Sequence, residues 1–216
     1  MKMKKRKYFY DPPLPVKKVF SEYLWSSSCD KIILTFDDGP NSATTEKILR
    51  TLEEQNAQAL FFCVGENLQR HETLAKEIIN SGHALGNHTW KHSILTNLKK
   101  NERADAIASV SEFALEKLDY EMKFFRPPHG KFYLGLNNTL KTLGLRNVMW
   151  SLLTYDYENN FDIVKFAIDN FLRRNSVVVF HDSDKSRDVI IKSLNYLFAK
   201  AKEKGFEFGK ISECLK

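Results

Sequence analysis

Residues 31–42 read KIILTFDDGPNS: an apolar run, Ile32 to Phe36, that ends in two adjacent carboxylates, Asp37 and Asp38, and then Gly39-Pro40. The run reads as a buried strand, and Asp-Gly-Pro reads as the turn that ends it. From here outward the chain keeps one rhythm. Short β-branched or aromatic runs alternate with longer segments of helical period. Strands are expected at 31–36, 57–64, 83–89, 122–128, 145–153, 176–182 and 205–211. Helices are expected at 44–54, 68–80, 98–118, 134–143, 161–172 and 189–202. Strand-helix alternation implies parallel pairing and an α/β fold. About seven such units point to a barrel of parallel strands with outer helices rather than an open sheet.

The chain of 216 residues suits one domain with a terminal appendage. Residues 30–216 form the expected main domain. Residues 1–29 read as an extension packing on it; Pro12, Pro13 and Pro15 argue against a helix there and for extended backbone. The net charge is 33 − 27 = +6, and much of the excess sits at Lys2, Lys4, Lys5, Arg6 and Lys7. Basic residues are not interleaved with aromatics in a repeating way, so nucleic acid is not an expected partner. No run is long and apolar enough to span a bilayer, and no signal peptide is visible, so the expected location is cytoplasmic. A monomer is favoured. Cys29, Cys63 and Cys214 are odd in number and far apart, which argues against a disulfide scaffold or a thiolate zinc site; Cys63 reads as core.

In such folds the functional groups gather at the C-terminal ends of the strands. Asp37-Asp38, His88, Arg126, Asp156 and His181-Asp182 all fall at or just past those ends. Two neighbouring carboxylates repel unless a cation sits nearby. One of them could bind a divalent metal while the other takes a proton, or the pair could simply form a turn and cap the following helix. His88 and His92 are four apart in NHTWKH, a spacing from which two imidazoles can reach one ion. With Asp38 they make a ligand set that leaves coordination positions open, as a catalytic zinc needs; nickel, cobalt or iron would also suit it. Arg126, stiffened by Pro127 and Pro128, could orient Asp37 and keep it ionised. His181 ends an apolar strand and could act as a general acid near neutral pH.

These stretches together resemble the polysaccharide deacetylases of carbohydrate esterase family 4, the NodB-homology domains, over about 31–211. TFDDGP resembles the first family motif, HTWKH the second, RPPHG the third, MWSLLTYDY the fourth and VVFHD the fifth. The resemblance implies a distorted (β/α)7-type barrel and metal-dependent removal of N-acetyl groups from an amino-sugar-containing carbohydrate. It implies Asp37 as general base, Asp38, His88 and His92 as metal ligands, Arg126 as the partner of Asp37, and His181 as general acid. Pro128, His129 and Trp150 would contact the substrate or its oxyanion. Four positions depart from the family pattern: His129 for Tyr or Phe, Leu153 for the Asp that orients the acid histidine, Tyr157 for Trp and Val179 for Leu. Asp156 is the expected substitute for the missing carboxylate. Two other readings follow from these departures: a metal- and sugar-binding protein with a broken acid relay, or an amidohydrolase of small cyclic amides or imides.

Overall fold

The computed structural model describes residues 8–216; the basic cluster at Lys2–Lys7 lies outside them. The elements follow the chain as α1 (Leu14–Val19), β1 (Ile33–Asp38), α2 (Thr45–Glu54), β2 (Ala59–Cys63), α3 (Gly65–Arg70), α4 (Glu72–Asn80), β3 (Ala84–Asn87) and α5 (Lys100–Leu118). They continue as β4 (Phe124–Phe125), α6 (Leu136–Thr142), β5 (Arg146–Asn147), β6 (Leu152–Leu153), α7 (Phe161–Phe171), β7 (Val177–His181), α8 (Ile190–Glu203) and α9 (Ile211–Cys214). The seven strands form one sheet in the order β5-β4-β3-β2-β1-β7-β6. All its strand pairings are parallel.

The sequence places β5 and β6 at opposite edges of that sheet, and this forces it to curl. Seven flat strands would put the two edges about 29 Å apart. Five residue steps join Asn147 to Leu152, and they reach at most about 17 Å. The sheet therefore closes into a distorted barrel, with residues 148–151 as its seam. The expected single strand at 145–153 is really two, because one continuous strand could not serve both edges.

Side-chain alternation then sorts the strand residues. Leu34 and Phe36 of β1, Phe61 of β2 and Val178 and Phe180 of β7 join the outer core under the helices. Ile33, Leu60, Phe62 and Val177 point the other way and form an inner core with Val148, Ile211 and Cys214. Asp37 and His181 are register partners on β1 and β7, so both continue the inner face at the open end of the barrel.

Other sequence expectations change in detail. The 68–80 helix is two helices that break at His71. The 205–211 segment is no strand; it makes one isolated bridge, Ile32 to Phe208, before α9. The prolines do not prevent a helix in the extension. Pro13 is the N-cap of α1 and Pro15 lies in its first turn, where the missing N–H would have had no helical partner. A disulfide also exists where none was expected. Cys29 bonds to Cys214, 185 residues away, with Cα atoms 5.1 Å apart; sequence distance says nothing of proximity once α9 returns beneath the barrel. Cys63 is buried and free. No helix among the described residues is long and apolar enough to cross a membrane.

Candidate active site

Asp37 is buried at the end of β1 and its Oδ1 accepts from Arg126 Nη1 at 2.6 Å. Arg126 is fully buried, so each of its donors needs an acceptor. Nε donates to the Val148 carbonyl (2.9 Å), Nη2 to the Met149 carbonyl (2.8 Å) and Nη1 also to Thr35 Oγ1 (2.8 Å). The guanidinium carbon lies 4.2 Å from the centre of the Phe62 ring. One side chain thus orients Asp37 and laces the seam of the barrel. Thr35, one strand repeat before Asp37 and the first residue of TFDDGP, is part of this arrangement, a role the sequence reading did not assign to it.

Beside Asp37, one ligand atom each from Asp38, His88 and His92 lies within 4.8 Å of the others. Asp38 Oδ1 is 3.3 Å from His92 Nε2 and 3.8 Å from His88 Nε2. His88 Nδ1 is 2.7 Å from the Arg126 carbonyl oxygen, which can only accept, so Nδ1 carries the proton and Nε2 presents a lone pair toward Asp38. Burial lowers the His88 pKa to about 4, against the nearby carboxylates, so the ring is neutral in the physiological range. Burial also opposes the Asp38 charge, but His181, His88, His92 and Lys185 hold its carboxyl below the usual range. A convergent carboxylate and a neutral imidazole with its lone pair turned inward, joined by His92, fit a divalent metal. The turn that brings His92 round is compact rather than helical: Thr89 and His92 both have positive φ, 64° and 53°.

Across the cleft, His181 and Asp156 are paired. Asp156 Oδ1 lies 2.8 Å from His181 Nδ1, and Oδ2 accepts the His181 backbone N–H at 2.7 Å. The Thr154 hydroxyl donates to the same carboxylate at 3.1 Å. A carboxylate only accepts, so Nδ1 bears a proton and Nε2 is the nitrogen available to the cleft that His181 lines. Burial alone would lower the His181 pKa; the charge and hydrogen bond of Asp156, with Asp38 and Asp37 behind, raise it to about 9. A broken acid relay is therefore not what the residues show. Leu153 lines the cleft, and the turn through Tyr155 at φ 58° brings the following Asp156 inward.

Asp182 is legible in the sequence only as a polar residue at a strand end. It is buried and anchors the acidic loop from below. The Thr44 and Thr45 hydroxyls each donate to it at 2.5 Å, and its N–H donates to the Asp37 carbonyl at 2.8 Å. Burial raises its pKa to about 7 despite the threonines. Gly39 is required here, because a Cβ would lie 2.2 Å from Asp182 Oδ2.

The cleft holds about 480 Å³ and is lined by Asp37, Asp38, His88, His92 and His181 together with His129, Gly130 and Trp150. The His129 ring is 4.7 Å from that of His92, and φ at His129 is 57°. Pro128 is buried behind it. Every sequence-expected residue except Arg126, Pro128 and Asp156 lines the cleft, and Arg126 and Asp156 reach it through Asp37 and His181.

Residues 26–148 match the polysaccharide deacetylase family. The chain is 32% identical over 192 residues to a peptidoglycan-N-acetylglucosamine deacetylase of Bacillus cereus, covering 87% of this chain and 89% of that protein. It is 31% identical to the peptidoglycan-N-acetylglucosamine deacetylase PgdA of Listeria monocytogenes over 85% of this chain, but it spans only 38% of that protein. Its fold matches the crystal structure of the Bc1960 peptidoglycan N-acetylglucosamine deacetylase with a TM-score of 0.82 at 30% identity, covering 90% of this chain and 94% of that one.

Proposed function

Because this chain belongs to the polysaccharide deacetylase family, we propose that it removes acetyl groups from the N-acetylated amino sugars of a peptidoglycan- or chitin-like glycan, with a divalent metal, zinc first, held by Asp38, His88 and His92. One observation carries the reading. Asp37, gripped by buried Arg126, stands beside a three-ligand cluster and next in register to the His181–Asp156 pair.

The assigned roles follow from the contacts. Asp37 takes the proton of the attacking water, and Arg126 keeps that carboxylate aimed. A bound divalent ion would supply Lewis acidity toward the acetyl carbonyl. The developing oxyanion accepts from the backbone N–H of His129, with Trp150 beside it. His181, held protonated by Asp156, hands its Nε2 proton to the departing amine, and Asp156 keeps the ring in place throughout. The Cys29–Cys214 bond and an extracytoplasmic glycan both favour an oxidising compartment over the cytoplasmic placement expected from the sequence.

The test is acetate release from chitin oligomers and from peptidoglycan, paired with metal analysis. Activity should disappear on chelation and return with Zn2+, and His88→Ala should lose the metal. Full metal loading with no acetate from either glycan would remove the catalytic reading. Normal metal content in His88→Ala would remove the ligand assignment.

A further inference from the structure

Part of one wall of the cleft comes from the N-terminal segment, ahead of the family match. That match begins at residue 26, yet Tyr8 and Phe9 line the cleft with Trp150, Leu153, Tyr155 and Tyr157. The segment is fixed to the barrel along its length. The Tyr10 ring is buried and stacked on Phe171 at 4.9 Å, and its carbonyl accepts the Leu153 N–H at 2.8 Å. The Phe9 N–H donates to the Tyr155 hydroxyl at 2.8 Å. Asp11 pairs with Lys17 and, at 3.4 Å, with Arg173. Tyr155 meets Tyr8 and Tyr10 edge-on, with ring centres 4.8 and 5.3 Å apart. Tyr157 continues the row and sets its ring 4.7 Å from His181. A continuous aromatic surface thus runs from the candidate acid to the N-terminal segment, and Phe9 at its end is 52% exposed.

Half-buried aromatic rings that line a polar cleft, with Phe9 exposed at its rim, suit a ligand with both apolar C–H faces and hydroxyl edges. A pyranose ring has both. Rings with only two side-chain torsions, already packed against one another, lose little freedom when such a ligand stacks on them. The reacting N-acetyl group must lie at Asp37 and His181, so the aromatic row is placed for a sugar further along the same glycan. We propose that Tyr8 and Phe9 form a subsite for a sugar neighbouring the reacting one, so that the chain selects an oligosaccharide over a single amino sugar. This rests on the deacetylase reading of the cleft.

The experiment uses the full chain loaded with Zn2+ and chitin oligomers from the mono- to the pentasaccharide. For the wild type, kcat/KM should rise with length. Phe9→Ala and Tyr8→Ala should each reduce the pentamer-to-monomer ratio about tenfold, mainly through KM. Phe9→Tyr should restore the ratio, and thermal melts should show all three variants folded. An unchanged ratio in both alanine variants overturns the proposal, as does an equal loss on monomer and pentamer. Calorimetric binding of the pentasaccharide separates the two claims. If it binds more tightly than the monosaccharide, and Phe9→Ala removes that advantage while no acetate is released, the subsite stands and the deacetylase reading falls. Acetate release with no length preference does the opposite: the deacetylase reading stands and the subsite falls.

Discussion

The two flanks of the cleft are built differently. On one flank Asp37 and Asp38 end β1, and His88 follows directly on β3. These strands pair in register with β2 over five and four residue pairs. On the other flank Asp156 stands in a turn after β6, a strand of two residues. The first flank is fixed by sheet registry and by Arg126. The second sets the strand-borne His181 against a turn-borne carboxylate that accepts two hydrogen bonds from that histidine and a third from Thr154. A deep strand positions a side chain through its neighbours; a turn must do so through its own polar contacts.

Disabling the strand-borne flank should give the largest effect. Asp37→Asn should lower kcat by about 10²–10⁴ while metal content stays at the wild-type level. Retained turnover would show that Asp37 is not the base. On the turn-borne flank, Asp156→Asn should lower kcat by about 10–100-fold and shift its pH dependence. The sign follows from the raised pKa of His181. Its charged form, and the stability the pair contributes, is fully present below about 6.5 and is lost as pH rises through about 9. The alkaline limb of kcat should therefore lie near 9 in the wild type and move to lower pH in Asp156→Asn. A limb that stays in place would separate His181 from Asp156.

A third variant tests the disulfide that ties Cys29 to Cys214. Cys214→Ala should lower stability by about 2–5 kcal/mol, read as a fall in Tm of roughly 5–15 °C. An unchanged Tm would show the bond to be absent or idle. The smallest effect belongs to Leu153→Asp. It should not raise kcat, because Asp156 already serves His181. A gain above about fivefold, roughly 1 kcal/mol, would mean that the histidine lacks a full partner.

The same contrast marks what is legible in the sequence. β1, β2 and β7 are clear because both of their faces are buried, which leaves continuous apolar runs that only a parallel interior strand explains. Asp37, Asp38, His88 and His181 are legible as strand-end residues for that reason. The edge strands are not. A two-residue strand has no periodicity, and β5 and β6 exist only because the sheet curls. Asp156 is near enough in sequence to substitute for the missing carboxylate, but only the left-handed Tyr155 shows how the chain turns it inward. Tyr8 and Phe9 give no signal as cleft residues, since nothing local marks which surface an extension will cover.

Arg126 grips both a carboxylate of the cleft and two carbonyls of the seam. Loosening residues 148–151 would thus free the guanidinium and leave Asp37 unaimed. A change at Val148 or Met149, neither of which lines the cleft, would present in an assay as a damaged base, and a screen for inactive variants would recover the architecture of the ring along with its chemistry.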